Sequence, residues 1–274
     1  MSKIAEAFEG GKAFIAFITC GDPDIASTVS FVKEAAEAGA DIIEIGIPFS
    51  DPTAEGPVIE SANMRSLAAG TTTDKVFEAV REIRKTVKIP LLFMTYANVV
   101  FSYGTERFAR AAAEIGMDGV ILPDVPYEEK EEFAPVFRRY GLDFISLIAP
   151  TSHERISMIS RDAEGFVYCV SSLGVTGTRE HITTDISEMT GLVHAAKKIP
   201  AAVGFGISNP AQAREMAEHA DGVIVGSAIM KLIERYGTEA APHIRAFVSE
   251  MKAAVREAER KKKYRASRKF FLQA

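Results

Sequence analysis

The sequence predicts a (β/α)8 TIM barrel, an α/β fold in which eight parallel strands alternate with helices. The chain has 274 residues, of which 47% are hydrophobic, so it can bury a large core. Eight short apolar runs follow one another, each succeeded by a helical pattern. Strands that are apolar throughout are typical of a parallel sheet covered on both faces, and eight such units in about 250 residues match the size of this barrel. The competing fold, an open doubly wound sheet, usually has fewer strands and a glycine-rich loop after the first one.

The predicted elements alternate from end to end of the chain. A short amphipathic helix at residues 3–8 comes first and is extra to the barrel. The predicted strands share an apolar run that ends in a turn or a polar loop; they are residues 13–20, 41–48, 90–96, 119–125, 143–150, 165–172, 200–207 and 222–226. The predicted helices share spacings or caps of the helical kind; they are residues 24–38, a stretch ending at 69, 74–87, 105–115, 128–140, 152–161, 185–198 and 211–220. Asp24 can cap the first of these helices and Gly39 can close it.

Charge and composition bound the function. Residues 260–269 carry seven Lys or Arg and no acid, so the rest of the chain stands at −12, with 25 basic against 37 acidic residues. We expect residues 1–259 to form one barrel domain and 260–274 to form a basic tail, solvated or frayed, with contact to an anionic surface as the alternative. The acidic body argues against nucleic-acid binding. No apolar run approaches the roughly 20 residues of a membrane helix, and no signal-peptide core is present, so we expect a cytoplasmic protein.

Cysteine and histidine usage gives little sign of a metal or redox site. Cys20 and Cys169 lie in apolar strand-like runs and are expected to be buried thiols. The five histidines are scattered without metal-ligand spacing, and no zinc or phosphate-loop NTPase signature is present.

The most informative stretch is residues 41–63, in which an acid interrupts an apolar strand. Glu44 lies among isoleucines, and a buried charge of this kind needs either an ion-pair partner or a chemical role. The loop that follows carries Asp51 and Glu55 and is stiffened by prolines. Asp51 and Glu55 alone would be solvated loop acids, but two carboxylates facing each other can be tuned to different pKa values. The pattern therefore indicates proton-transfer chemistry.

The later loops indicate a phosphate site. In this fold the active site lies at the carboxyl ends of the strands, and a phosphate is often bound after the last two. The loops SSLGVTGT, GFGIS and VGSAI are rich in glycine, which lets backbone N–H groups approach an anion, and a helix beginning near Ser227 would point its positive end there. The GVTG segment also has the composition of a mobile lid. A phosphorylated substrate is the prediction.

Six motifs, in order, resemble the α subunit of tryptophan synthase over the chain up to about residue 251. They are IEIGIPFSDPTAEGP (43–57), TYAN (95–98), LPDVPYEE (122–129), SSLGVTG (171–177), GFGIS (204–208) and VGSAI (225–229). The resemblance implies retro-aldol cleavage of indole-3-glycerol phosphate to indole and D-glyceraldehyde 3-phosphate. It also implies an α2β2 assembly in which indole passes through a tunnel to a β subunit that carries pyridoxal phosphate (PLP), with no cofactor in this chain.

The resemblance also assigns roles to residues. Glu44 would be the acid–base residue and Glu55 the second catalytic carboxylate. Tyr168, which matches the family's substrate-contacting tyrosine, would be the third catalytic residue, and Thr176 would match the lid threonine. The other expected substrate-binding residues are Phe17, Met94, Tyr96 and Ile121 around the indole, and Gly177, Phe205, Gly206, Gly226 and Ser227 around the phosphate.

Glu55 departs from the family pattern, which has aspartate there. The extra methylene moves the carboxylate by roughly 1 Å, and a misplacement of that size can cost on the order of 100-fold in rate. Either the loop backbone compensates, or the chain is a weak catalyst that serves to activate its partner. Another phosphate-binding barrel enzyme is a third possibility.

Overall fold

The computed structural model describes the chain apart from residues 1, 151–152, 172–184, 205 and 272–274. Within residues 260–271 it describes the helical backbone alone. The predicted lid falls in 172–184 and so lies outside the described residues.

Nine parallel strands form a sheet that closes on itself. They are β1 Ala13–Thr19, β2 Ile42–Gly46, β3 Leu91–Met94, β4 Gly119–Ile121, β5 Asp143–Phe144, β6 Ser146–Ile148, β7 Val167–Val170, β8 Ala201–Gly204 and β9 Gly222–Val225. Their order in the sheet is β5-β4-β3-β2-β1-β9-β8-β7-β6. Its two ends, β5 and β6, are halves of the single strand predicted at 143–150, separated by Ile145 alone. The nine segments therefore make eight barrel strands, with β5 and β6 together counting as the fifth, and the predicted (β/α)8 barrel is confirmed.

The helices surround the barrel. They are α1 Lys3–Glu6, α2 Ile25–Glu37, α3 Pro57–Ala68, α4 Thr73–Arg84, α5 Ala97–Tyr103, α6 Thr105–Glu114, α7 Ala134–Arg139, α8 His153–Arg161, α9 Ile186–Ala196, α10 Pro210–His219, α11 Ser227–Tyr236 and α12 Ala241–Phe271, with 3-10 turns at Tyr127–Glu132 and Gly237–Ala240. Asp24 caps α2 by accepting from the backbone N–H of Ser27, and Gly39 follows the helix with a φ of +106°, as predicted. None of the helices in the described part of the chain is both long and apolar enough to cross a membrane.

The core fills the barrel and the layer between strands and helices. Every residue of β1, β2 and β3 is buried, because each strand has the barrel interior on one side and helices on the other. The extra N-terminal helix closes the bottom, since the fully buried Ile4 lies against Gly119 and Gly165. Cys20 and Cys169 are free and buried, as expected.

Two helical predictions differ from the structure. The single helix predicted at 128–140 is a 3-10 turn followed by α7, because Pro135 has no N–H and can be accommodated only in the first turn of a new helix. Helix α5 was not predicted, since no element was assigned between the predicted strand at 90–96 and the predicted helix at 105–115. The backbone of α12 is helical to Phe271. The solvated or frayed state of the basic tail at 260–274 stays a prediction.

Candidate active site

One cavity at the carboxyl end of the barrel brings both catalytic candidates together. Its walls are Phe17, Glu44, Glu55, Ile59, Met94, Tyr168, Gly206, Ile207, Ile224, Gly226 and Ser227. Phe17 and Glu44 are register partners on the paired strands β1 and β2, so their side chains lie on the same face of the sheet, toward this cavity. The cavity is thus walled by acids, rings and glycines contributed from around the barrel.

Glu44 lies buried in the cavity wall. Its side chain is 1% exposed, and neither carboxyl oxygen has a hydrogen-bond partner among the described residues. No Lys or Arg of the described residues forms an ion pair with Glu44. Of the two roles that the sequence left open for this acid, these residues therefore do not support the ion pair. Burial alone raises its pKa from 4.5 to about 8. Glu44 is therefore mainly protonated at neutral pH and can donate a proton.

Glu55 lies across the same cavity on the loop after β2. It is 6% exposed, unlike Asp51 of the same loop, which is exposed. Its Oε2 accepts a 2.8 Å hydrogen bond from Asn63 Nδ2. The pKa of Glu55 is raised to about 7. Burial is the main cause, the hydrogen bond from Asn63 opposes the shift, and the charge of Glu60 adds to it. Glu55 is thus a second buried acid, with a lower pKa than Glu44 and so the more readily ionised of the two.

Asn63 was missed by the sequence analysis, although it closes the 41–63 stretch. It is 4% exposed on α3. Helix α3 is fixed to the barrel by Arg65, whose Nε and Nη2 donate to the two carboxylate oxygens of the fully buried Asp22 at 2.9 and 2.8 Å. A buried amide on the helix that follows an acidic loop is the signal that could have revealed it.

Glycines on the strands make room for the two aromatic rings of the cavity. A Cβ on Gly46 would lie 2.7 Å from Phe17 Cζ, and one on Gly226 would lie 3.2 Å from Phe17 Cδ1. A Cβ on Gly204 would lie 2.4 Å from the Tyr168 hydroxyl oxygen. The pKa of Tyr168 is raised well above its usual range by burial and, to a lesser extent, by the negative charge of Glu44. The phenol therefore stays protonated and can donate a hydrogen bond beside that acid.

The part of the wall that follows β8 and β9 has the character of an anion site. Helix α11, ten residues long, begins at Ser227 after its N-cap Gly226, so its unpaired N–H groups are at the cavity. Gly206, with a φ of +82°, adds backbone that no larger side chain covers. In the described residues this wall carries no Lys or Arg, so backbone groups and the Ser227 hydroxyl are what it offers an anion.

The remaining predicted residues lie elsewhere. Ile121 is buried on β4 outside the cavity lining. Tyr96 is also outside it, and its hydroxyl accepts a 3.2 Å hydrogen bond from the backbone N–H of Ala54, in the loop that carries Glu55. Thr176, Gly177 and Phe205 lie outside the described residues. Among the residues that the structure covers, no group of three or more His, Cys, Asp or Glu could hold a metal ion.

Asp124, another polar residue at a strand end, has a structural contact. Both of its carboxylate oxygens accept from the backbone N–H of Ala97 at 3.1 Å. Ala97 is the first residue of α5, so this carboxylate satisfies a free N–H at the positive end of the helix.

Comparison with known proteins gives a consistent result. The sequence model of the family described as tryptophan synthase alpha chain matches residues 4–262. The tryptophan synthase alpha chain of Lacticaseibacillus casei is 44% identical over 255 residues, covering 93% of this chain and 96% of that protein. That of Lactiplantibacillus plantarum is 50% identical over 234 residues, covering 85% and 89%.

Solved structures agree with the sequence relatives. A crystal structure of the tryptophan synthase alpha chain from Legionella pneumophila subsp. pneumophila is similar with a TM-score of 0.84 and 38% identity, covering 93% of this chain and 97% of that one. A chain of Mycobacterium tuberculosis tryptophan synthase has a TM-score of 0.85 at 36% identity, covering 93% and 98%.

Proposed function

The chain belongs to the tryptophan synthase alpha chain family, and from that premise we propose that Glu44 and Glu55 together perform its reaction. The reaction is the cleavage of indole-3-glycerol phosphate to indole and D-glyceraldehyde 3-phosphate, a carbon–carbon lyase step of tryptophan biosynthesis. The observation that carries the proposal is that both acids, each buried and each with a raised pKa, line the same cavity as the N-terminus of α11 and its flanking glycines.

Glu44 acts as acid and then as base. It begins protonated and donates its proton to C3 of the indole, which places a positive charge on the ring nitrogen. The resulting carboxylate takes the proton from the hydroxyl on the neighbouring glycerol carbon. The bond between that carbon and C3 breaks, its electrons restore the aromatic ring, and the alcohol carbon becomes the aldehyde. Glu44 ends protonated again, so the acid is regenerated in each turnover.

Glu55 stabilises the charge that develops. An ionised carboxylate beside the indole N–H lowers the energy of the protonated ring, and the effect is strong because the site is buried. The family's aspartate is shorter, and Asn63 is the residue that holds the longer Glu55 side chain in this chain. The alternative of a weakly catalytic, partner-activating subunit is not favoured, because Glu55 faces the cavity together with Glu44.

The other walls bind the two ends of the substrate. Phe17 and Met94 supply apolar contact for the indole, and the Tyr168 hydroxyl contacts the reacting region near Glu44. Gly206, Gly226 and Ser227 bind the phosphate through backbone N–H groups and the serine hydroxyl, joined by Gly177 and Phe205. Tyr96 supports the loop of Glu55 through Ala54, and Ile121 packs behind the indole wall. Thr176 contributes from the lid.

A tryptophan synthase alpha chain has a beta subunit as its partner. We propose the finer assembly too: an α2β2 complex in the cytoplasm, in which indole passes through a tunnel to PLP in the β subunit. This chain would then work without a cofactor of its own, as a single barrel domain over residues 1–259.

Steady-state indole release tests the proposal. Glu44→Gln keeps the side-chain shape but cannot supply a proton, so kcat should fall by roughly 10²- to 10⁴-fold. Glu55→Gln should also lower kcat, by removing the charge that faces the indole nitrogen. Both variants are measured with and without a β subunit, against Glu78→Gln on the exposed face of α4 as a control. A Glu44→Gln enzyme with unchanged kcat would eliminate this mechanism.

A further inference from the structure

A second cavity lies beside the active site, at the carboxyl end of the barrel. It has a volume of about 270 Å³ and lies between the β4–β6 region of the barrel wall, the Tyr127–Glu132 turn and α8. Most of its wall is apolar, including Leu122, Val125, Ile148, Ile159 and Val170. None of its lining residues lines the active-site cavity. It is therefore a separate compartment, of a size that suits a compact ligand.

A buried lysine forms part of this apolar wall. Lys130 is 3% exposed, and its Nζ donates to the Ser146 hydroxyl at 3.3 Å and to the Asp162 carbonyl oxygen at 2.9 Å. Lys130 and Ser146 both line the cavity, so the ammonium group is hydrogen-bonded to a side chain of the cavity wall. An ammonium group has three N–H donors, and the described residues supply acceptors for two of them.

Among the described residues, no carboxylate forms an ion pair with this lysine. No carboxylate oxygen of the described residues comes within 4.0 Å of Lys130 Nζ. The carboxylate of Asp162 accepts from the Tyr127 hydroxyl, and that of Glu164 accepts from Arg138 and from the backbone N–H of Phe144. Burial lowers the pKa of Lys130, with the charges of Glu164 and Asp162 opposing that shift in part. A buried cation without a close counter-ion is costly, and an anion entering the cavity would offset that cost.

We propose that this second cavity binds a small monocarboxylate with a compact apolar body, whose carboxylate pairs with Lys130 and whose body packs on the apolar wall. One buried monovalent cation fits a single carboxylate better than a phosphate dianion, which would need more donors. The guanidinium of Arg155, which also lines the cavity, is already paired with Glu128 at 2.6 and 3.0 Å. The site adjoins the active site through consecutive residues, since Ala54 lines one cavity and Glu55 the other.

The test uses phenylacetate as the probe and phenylacetamide as its uncharged counterpart. Binding to the full-length protein is measured by saturation-transfer NMR and by titration calorimetry. Lys130→Met removes the charge with little loss of volume, and Ala149→Phe places a ring in the cavity while keeping Lys130. Lys198→Met, an exposed lysine at the opposite end of the barrel, is the matched control. Thermal melts of each variant without probe establish that it is folded.

The proposal expects phenylacetate to bind the wild-type protein and Lys198→Met equally. Its affinity should fall at least tenfold for Lys130→Met and for Ala149→Phe, and phenylacetamide should bind at least tenfold more weakly than phenylacetate. Equal binding to wild type and Lys130→Met, or no binding to wild type, would overturn the proposal. So would purely competitive inhibition of indole release, with KM raised and kcat unchanged, because that pattern would assign the probe to the active site.

Discussion

Replacing Glu44 by Gln should stabilise the free protein while it lowers kcat. In the folded chain Glu44 holds its proton up to about pH 8, whereas the unfolded chain releases it near the ordinary value of 4.5. Between these values the folded state binds more protons than the unfolded state, so stability is lost as pH rises. Because the side chain is 1% exposed, the shift needs little discount for solvent. The cost of Glu44 to the free energy of unfolding is about 1 kcal/mol at pH 5 and about 4 kcal/mol at pH 8.

Glutamine cannot ionise, so the variant should escape that loss. We expect Glu44→Gln to exceed the wild type by about 1 kcal/mol at pH 5 and about 4 kcal/mol at pH 8. Urea denaturation followed by circular dichroism at several pH values measures the difference in the free energy of unfolding. Glu55 titrates in both proteins, so its contribution is common to the two curves. Glu78→Gln on the exposed face of α4 should show no such divergence. Curves that stay parallel from pH 5 to pH 8, or a variant less stable at pH 8, would refute the reasoning.

Two further substitutions test the support around the acids. Asn63→Ala removes the bond that lowers the pKa of Glu55, so the acid limb of the pH profile of kcat/KM should move up by roughly one unit; Ser61→Ala, exposed on the same helix, should leave the limb in place. Gly204→Ala puts a Cβ 2.4 Å from the Tyr168 hydroxyl oxygen, so we expect a loss of about 1–3 kcal/mol of stability and a higher KM. Gly191→Ala, where an added Cβ meets nothing within 4 Å, is the control for Gly204→Ala. An acid limb that does not move in Asn63→Ala would contradict the first prediction, and a normal KM in Gly204→Ala would contradict the second.

The acids show how stability and function oppose each other in this barrel. A buried carboxyl group that has no hydrogen-bond partner among the described residues destabilises the fold at neutral pH, yet the same burial raises its pKa to the range that acid–base catalysis requires. Asn63 limits the corresponding cost at Glu55 by donating to its ionised form.

The sequence by itself determined the fold and the position of the site along the chain. Eight apolar strands alternating with helices favour the barrel over an open sheet at this length, and the carboxyl ends of the strands then meet at one face. Glu44 was identifiable because an acid inside a β-branched strand is rare, and the late glycine-rich loops indicated the anion wall.

Only the tertiary structure decided which of the candidate residues face one another. The division of the fifth barrel strand into β5 and β6 depends on how the sheet closes, and no local sequence pattern indicates it. Asp51 and Glu55 look alike in sequence, yet Asp51 is exposed, whereas Glu55 is buried and accepts a hydrogen bond from Asn63 on the next helix. The hydrogen-bond donors to Asp22 and Asp124, and the burial of Lys130 against the Asp162 carbonyl, likewise depend on contacts between residues distant along the chain. Burial and pairing set the charge state of these groups, and both are properties of the packed fold.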